Sequence, residues 1–363
     1  MSYSFVLTGG GTGGHIFPAL AVADVLRSRG HKLLFVGTAE GMEARLVPQA
    51  GYPIEFVRSG GLNRVGFRRS AQTLLGLPKG IWSARRLLHS VRPSAVFSMG
   101  GYVAGPVMLA AVLGRIPLVI MEPNAVPGFA NRQVARYVYR ALLGFKGTEK
   151  WFRPGRTEVT GLPVRAAFFA VSQRTRPART FTVLITGGSR GARKLNRAVR
   201  DSWPLFAKHG IPLRLIQQTG AADSAEWAQA FAQTGLQGEV VPFITDMADA
   251  FAGADLVVGR SGAGAVNEIA AAGMPSLLIP FPFAADNHQQ RNAEMLVNGG
   301  AACMILDRDL TGERLFSQIE SLRSDEVKLR TMKERVIEFA KPGAAERAAD
   351  VLQEAAAQRN RGA

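Results

Sequence analysis

Apolar residues in this chain gather in short unbroken runs, and between the runs they return at intervals of three or four. The runs lie at 5–8, 32–36, 95–98 and 118–121, then at 182–186, 213–217, 256–258 and 276–279. A strand that is apolar at consecutive positions is buried on both faces, the condition of a parallel sheet covered by helices. The alternation predicts an α/β protein of two Rossmann-like domains, each a doubly wound parallel sheet, facing each other across a cleft. Residues 103–121 are apolar with one charge, Arg115, and must be weighed as a membrane span. Gly105-Pro106 opens a helix there, Gly114-Arg115 closes it, and 116–120 reads as a buried strand, so helix, turn and strand are expected instead.

The two series of runs meet near Leu162-Pro163, and a basic stretch ending in Pro177 precedes the second sheet. Domains are expected at 1–163 and 164–341. The alanine-rich end, within 342–363, is expected to form a helix that returns to pack on the first domain. Both series open alike, the first strand running into a glycine-rich turn: Gly9-Gly10-Gly11-Thr12-Gly13-Gly14 in one and Gly187-Gly188-Ser189-Arg190-Gly191 in the other.

Composition narrows the classes. The chain has 363 residues, 47% of them hydrophobic, enough for two cores. A single cysteine, Cys303, excludes a disulfide framework. Met1-Ser2-Tyr3 runs straight into the strand-like Phe5-Val6-Leu7, so no secretory leader is expected and the cytoplasm is the natural compartment. A formal charge of +16 predicts attraction to something anionic: nucleic acid, an acidic membrane surface or phosphorylated substrates. Nucleic acid is disfavoured, because no basic run is interleaved with aromatics.

Gly9-x-Gly11-x-x-Gly14 matches the dinucleotide fingerprint, whose glycines let backbone N–H groups approach a diphosphate at a helix N-terminus. A nicotinamide site also requires an acid at the end of the second strand, and Gly37-Thr38 stands there, so only the diphosphate inference is kept. The plain alternative is a tight strand-to-helix turn without a ligand. His15 falls at the start of the following helix, where the dipole favours a neutral imidazole able to accept a proton; a ring that merely packs on the loop is the other reading. Gly100-Gly101-Tyr102 follows a strand at the ligand-binding edge of such sheets. In the second half, Gly259 to Gly262 lead into Ala263-Gly264-Ala265-Val266-Asn267-Glu268, small residues that let a phosphate reach a helix N-terminus, with Glu268 placed for the hydroxyls of a ribose. Asn287, Gln289, Gln290 and Asn292 form an amide cluster suited to sugar hydroxyls or to an exposed polar face. Asp307-Arg308-Asp309 has the form of a metal-binding Asp-x-Asp, but it follows a weak strand and reads as a turn or N-cap, so no metal is expected.

These motifs together, with Phe17-Pro18, Glu122-x-Asn124, Pro163-Val164-Arg165 and Arg260-Ser261-Gly262-Ala263, resemble the MurG-type transferases over nearly the whole chain. The resemblance implies a two-domain glycosyltransferase that moves N-acetylglucosamine from UDP-GlcNAc to the C4 hydroxyl of the muramoyl-pentapeptide of undecaprenyl-diphosphate lipid I. The product is lipid II for peptidoglycan synthesis, hence a role in cell shape and division. It further implies inversion at the anomeric carbon, no cofactor, and work at the cytoplasmic face of the bacterial inner membrane as a peripheral enzyme beside other cell-wall synthesis proteins.

By position, the resemblance implies that Glu268 holds the ribose, the Ile244 backbone meets uracil, and Arg165, Ser189 and the N–H groups of 263–265 bind the donor phosphates. Thr12, Gly13, Gly14, Asn124, Gln289 and Gln290 would address the distal phosphate and sugar. Gly100, Gly101 and Tyr102 would address the acceptor diphosphate, with His15 as candidate base. Met121, Pro123, Leu162 and Arg190 depart from the family pattern. A UDP-GlcNAc 2-epimerase or a diacylglycerol glycosyltransferase would keep the nucleotide site and change the acceptor site. Residues 68–86 mix Leu74, Leu75, Leu77, Ile81 and Trp82 with Arg68, Arg69, Lys79, Arg85 and Arg86, the composition of a helix that inserts shallowly among anionic headgroups.

Overall fold

The structure, a computed structural model, describes residues 2–11, 13–57, 67–101, 103–172, 180–188, 191–222 and 224–361, and the side chains of 67–77 and 285 are not among those described. The chain forms two compact units, 1–165 with 341–363, and 166–340.

Unit 1 is a seven-stranded sheet, every neighbouring pair parallel, in the order β3-β2-β1-β4-β5-β6-β7. Its strands are β1 (Ser4–Thr8), β2 (Lys32–Gly37), β3 (Ile54–Phe56), β4 (Ala95–Ser98), β5 (Leu118–Glu122), β6 (Arg140–Leu143) and β7 (Thr157–Val159). Its helices are α1 (Gly13–Ser28), α2 (Glu43–Gln49), α3 (Phe67–Val91), α4 (Ala104–Leu113) and α5 (Phe129–Val134). Unit 2 opens with α6 (Ala166–Val171) and orders its parallel strands β10-β9-β8-β11-β12-β13. These are β8 (Phe181–Thr186), β9 (Leu213–Gln218), β10 (Gln237–Val241), β11 (Leu256–Gly259), β12 (Ser276–Leu278) and β13 (Ala302–Met304). They alternate with α7 (Arg193–Lys208), α8 (Ser224–Ala232), α9 (Met247–Ala252), α10 (Ala263–Ala272) and α11 (His288–Asn298), and α12 (Gly312–Arg323) and α13 (Glu326–Ile337) follow.

Adjacent residues of the central strands serve opposite cores, as period-two geometry requires. Phe5 and Leu7 join one cluster, while Val6 joins another with Val96, Ile120 and, from α3, Ala84 and Leu88. The last helix, α14 (Ala344–Arg361), supplies Ala348, Val351, Leu352 and Ala355 to the first of these clusters. Its Arg347 grips Glu158 with two hydrogen bonds, 2.6 and 2.9 Å, and Asp350 pairs with Arg29 at 2.6 Å. The Arg347 hydrogen bonds hold the Glu158 carboxyl below its usual range.

Residues 103–121 run through α4, a turn at Gly114 and β5, and no helix among the described residues is long and apolar enough to cross a membrane. The strands that the apolar runs do not announce are β3, β6, β7, β10 and β13, the last of which the sequence shows only as a weak strand. Four of these are edge strands, and β3, β7 and β10 are half-buried or exposed over most of their length, where only one flank of the backbone ladder is paired and burial on both faces is not needed.

Candidate active site

In each sheet the strand order reverses beside the first strand, between β1 and β4 in unit 1 and between β8 and β11 in unit 2. Open α/β sheets bind ligands at the carboxyl ends of the strands flanking such a reversal. All four glycine-rich segments lie there.

In unit 1, β1 delivers Gly9 to Gly11 and α1 begins at Gly13, while β4 delivers Gly100 and Gly101. The two turns touch: a Cβ built on Gly101, whose φ is +83°, would lie 3.1 Å from the Gly10 carbonyl oxygen and 3.8 Å from the His15 ring. Gly100 donates its N–H to Ser98 Oγ at 3.0 Å. His15, in the first turn of α1, is thereby set against the glycine turn after β4. Phe17, two residues further along the same helix, carries the Arg165 guanidinium 5.6 Å from its ring centroid. Arg165 therefore sits in unit 1 beside the start of α1.

Two buried carboxylates brace this rim. Glu43 opens α2 with 1% of its surface exposed; its Oε2 accepts the Gly11 N–H at 3.0 Å, and its Oε1 accepts the Thr38 N–H at 3.1 Å and the Thr38 hydroxyl at 2.8 Å. Glu122, also 1% exposed, ends β5 and accepts N–H groups from Asn124 and Gly128, both at 3.0 Å. The side-chain amides of Asn124 and Asn131 donate to it at 3.2 and 2.8 Å. Burial pushes the Glu122 carboxyl above its ordinary range, against those four donors. Asn124 Nδ2, read from the resemblance as a donor-substrate contact, is engaged by this carboxylate.

In unit 2, β8 runs on into Gly187 and Gly188. Gly191 has φ +71°, and a Cβ there would meet the Thr219 carbonyl oxygen at 1.8 Å, so no other residue fits. Neutral amides hold this turn: Gln218 Nε2 donates to the Gly188 oxygen at 3.1 Å, and Asn196 Nδ2 to the Thr219 oxygen at 2.9 Å. Gln218 Oε1 accepts the Ile244 N–H at 2.8 Å, so one side chain spans the phosphate turn and the expected uracil segment. After β11, Gly262 takes the N-cap position of α10 with no side chain capping it, leaving that helix start as a shaped receptor for an anion. Ala263, Gly264, Ala265 and Val266 form the first turn, and half-buried Glu268 follows on the same helix. The Asn267 side-chain amide donates to the Ala263 oxygen at 2.9 Å, one turn back on the same helix.

The amide cluster is brought to this helix start but is largely engaged within the protein. Gln289 Oε1 accepts the Phe281 N–H at 3.0 Å, Gln290 Nε2 donates to Glu294 at 2.8 Å, and Asn292 Nδ2 to the Ser261 oxygen at 3.2 Å. Gln289 Nε2 remains beside Gly262, 3.9 Å from an ideal Cβ. Asp307-Arg308-Asp309 is a single 3₁₀ turn, and Asp307 is committed to Arg260 at 2.7 Å and to Lys194 at 3.6 Å. Among the described residues no group of three or more His, Cys, Asp or Glu side chains is arranged to hold a metal ion. Thr12, Tyr102, Ser189 and Arg190, all singled out in the sequence, lie outside the described residues.

Glu43, Gln218 and the Arg260–Asp307 pair were not legible beforehand as parts of this site. The one signal for Glu43 is the pair of glycines, Gly37 and Gly41, around an acid just past the second strand.

The glycosyltransferase family 28 N-terminal domain matches residues 5–143 and the corresponding C-terminal domain matches 182–348. A protein of Solibacter usitatus named UDP-N-acetylglucosamine–N-acetylmuramyl-(pentapeptide) pyrophosphoryl-undecaprenol N-acetylglucosamine transferase is 55% identical, over 97% of this chain and 96% of its own. One of the same name from Aeromonas hydrophila is 42% identical over 96% of both chains. The crystal structure of Acinetobacter baumannii MurG superposes with a TM-score of 0.80 at 32% identity, covering 97% of this chain and 99% of that one. With glycine turns at both switch points and relatives alike from end to end, the chain belongs to glycosyltransferase family 28.

Proposed function

We propose that this glycosyltransferase moves N-acetylglucosamine from UDP-GlcNAc to the C4 hydroxyl of the muramoyl-pentapeptide of lipid I, giving lipid II. The observation that carries the reading is the full-length relationship to transferases named for that reaction. The geometry supports it: an uncapped start of α10 suits a diphosphate, and Glu268 on the same helix suits the ribose hydroxyls. Uracil would engage the Ile244 backbone, exchanging with Gln218 for the N–H that this side chain now accepts.

The acceptor C4 oxygen attacks the anomeric carbon from the face opposite UDP. His15 accepts the hydroxyl proton, and UDP departs with the electron pair of the broken bond, so the configuration inverts. Arg165, Ser189 and the start of α10 offset the charge that grows on UDP, each charge-assisted contact contributing about 1.5–3 kcal/mol. Gly100, Gly101 and Tyr102 would address the acceptor diphosphate, while Thr12, Gly13, Gly14, Asn124, Gln289 and Gln290 would address the donor's distal phosphate and sugar. No metal or cofactor is assigned a part.

The lipid acceptor places the enzyme at the cytoplasmic face of the inner membrane, bound peripherally through α3. Ala84 and Leu88 turn that helix's inner side into the core, while Trp82 is 65% exposed and Arg86 stacks 5.9 Å above it. Each basic residue near an anionic surface adds about 1 kcal/mol. The decisive experiment incubates the protein with UDP-GlcNAc and a short-chain lipid I analogue and reads the product by mass. Added N-acetylhexosamine on the analogue with release of UDP is expected; conversion of UDP-GlcNAc to its 2-epimer, or transfer only to diacylglycerol, would overturn the reading.

A further inference from the structure

We propose that Glu43 is a positioning residue for transfer: its buried carboxylate fixes the glycine turn after β1 in the shape that seats His15 against Gly101. The kinetic part of this inference rests on the function proposed above. Nothing in the mechanism uses Glu43, and its neighbours in sequence, Glu40 and Arg45, make it look like an ordinary surface acid.

Three observations carry it. First, the carboxylate joins two loops that are otherwise separate, taking the Gly11 N–H on one oxygen and both donors of Thr38 on the other. Second, the surrounding backbone is cut to its outline. A Cβ on Gly10 would lie 2.5 Å from its carboxyl carbon, one on Gly41 2.1 Å from Oε1, and one on Gly37 2.5 Å from its Cγ. Three glycines around one side chain leave room for that group and for little else. Third, the opposite side of the braced turn is the site: the Gly10 carbonyl oxygen faces Gly101, and Gly101 faces the His15 ring. Carboxylate, glycine turn, glycine turn and imidazole are thus successive neighbours.

The chemistry explains why an acid is required. All three partners of Glu43 are donors, so two acceptor oxygens are needed, and an amide would aim two hydrogens at one set of donors. A buried charge-assisted brace is also stiff, and proton transfer demands reacting groups held within about 0.5 Å of the productive geometry. Because Glu43 uses the Gly11 N–H, that group is not a phosphate ligand here, contrary to the plain expectation from the fingerprint.

The test compares the full-length parent with Glu43→Gln, Thr38→Val and Gly10→Ala. Three readouts are taken: steady-state transfer, UDP affinity by calorimetry, and the His15 ring resonances of protein carrying ¹³C-labelled histidine, identified with His15→Ala. Glu43→Gln is expected to lower kcat at least tenfold, to leave UDP affinity within twofold, and to move the His15 resonances. Thr38→Val keeps the Gly11 bond and should lower kcat less. Gly10→Ala drives a methyl into the same carboxylate, so its effect and that of Glu43→Ala should be strongly non-additive in the double variant. Parental kcat per folded molecule and an unmoved His15 in Glu43→Gln, with only the melting temperature lowered, would overturn the proposal. Should Glu43→Gln fail to fold, unmoved His15 resonances in both Thr38→Val and Gly10→Ala would overturn it equally. A parent without transfer activity would overturn the functional reading, while the resonances would still decide the role of Glu43.

Discussion

The two switch points share one topology and differ in what holds their loops. In unit 1 the braces are buried carboxylates, Glu43 and Glu122, and they consume backbone N–H groups of Gly11, Thr38, Asn124 and Gly128. In unit 2 the braces are mainly amides and a guanidinium, which consume carbonyl oxygens. Gln218 donates to Gly188, Asn196 to Thr219, and Arg260 to Ile279 and Pro280. A loop whose carbonyls are tied down leaves positive dipole ends for an anion, and Arg193, Lys194 and Arg197 add charge at the start of α7. A loop braced by carboxylates is rigid but is a poorer anion receptor. Under the proposed function the equivalent frames would serve different tasks, unit 2 holding the nucleotide diphosphate and unit 1 shaping the ground on which the acceptor reacts.

The sharpest way to break this comparison is at the proposed base. His15→Ala should lower turnover by about 10²- to 10⁴-fold while UDP affinity stays within twofold, measured by steady-state kinetics and calorimetry. Equal loss of both would make His15 part of the nucleotide site. Next comes the brace of unit 2: Arg260 and Asp307 are both largely buried, so Asp307→Ala should destabilise unit 2 by about 3–5 kcal/mol in chemical denaturation. Asp309→Asn, in the same turn, should change stability by less than about 0.5 kcal/mol. Similar effects of the two would remove the buried pair from the account.

A smaller effect concerns pH. His31 is buried, its Nδ1 accepts the Tyr3 N–H at 3.2 Å, and burial lowers its pKa below the usual imidazole value. A histidine kept neutral by folding contributes stability that is complete above about pH 6.5 and is lost as the pH falls below it toward the depressed folded value. His31→Asn, which keeps an acceptor for Tyr3, should flatten the melting temperature of unit 1 across that window; an unchanged slope would contradict the assignment. The smallest effect is at the membrane. Trp82→Ser and Arg85→Glu/Arg86→Glu should each reduce flotation with anionic liposomes, and normal flotation of folded variants would remove α3 as the docking surface.

How much of this was legible follows from the range of each interaction. Buried central strands announce themselves because both faces must be apolar, and the glycine turns because the backbone must approach something closely. The edge strands β3, β7 and β10 carry polar residues, exposed at Glu55 and Glu239 and half-buried at Glu158, and their strand character comes from one paired neighbour. The braces were hidden for a different reason. Glu43 reaches Gly11 across 32 positions, Gln218 reaches Gly188 across 30, and Arg260 reaches Asp307 across 47, distances over which sequence pattern carries no pairing signal. Asp307-Arg308-Asp309 does form a turn, yet the reason for Asp307 lies in Arg260. The amide cluster shows the reverse limit: its composition suggests a sugar site, but Gln289, Gln290 and Asn292 first satisfy Phe281, Glu294 and Ser261.

The division of labour between the two switch points is tested most directly by titrating UDP into the parent, Glu268→Ala and His15→Ala in a calorimeter under one set of conditions. Loss of a charge-assisted ribose contact should weaken UDP about 10- to 100-fold in Glu268→Ala, while His15→Ala binds it within twofold of the parent. Unchanged affinity in Glu268→Ala, or equal weakening in both variants, would contradict a nucleotide site built on α10 and a reaction centre built on α1.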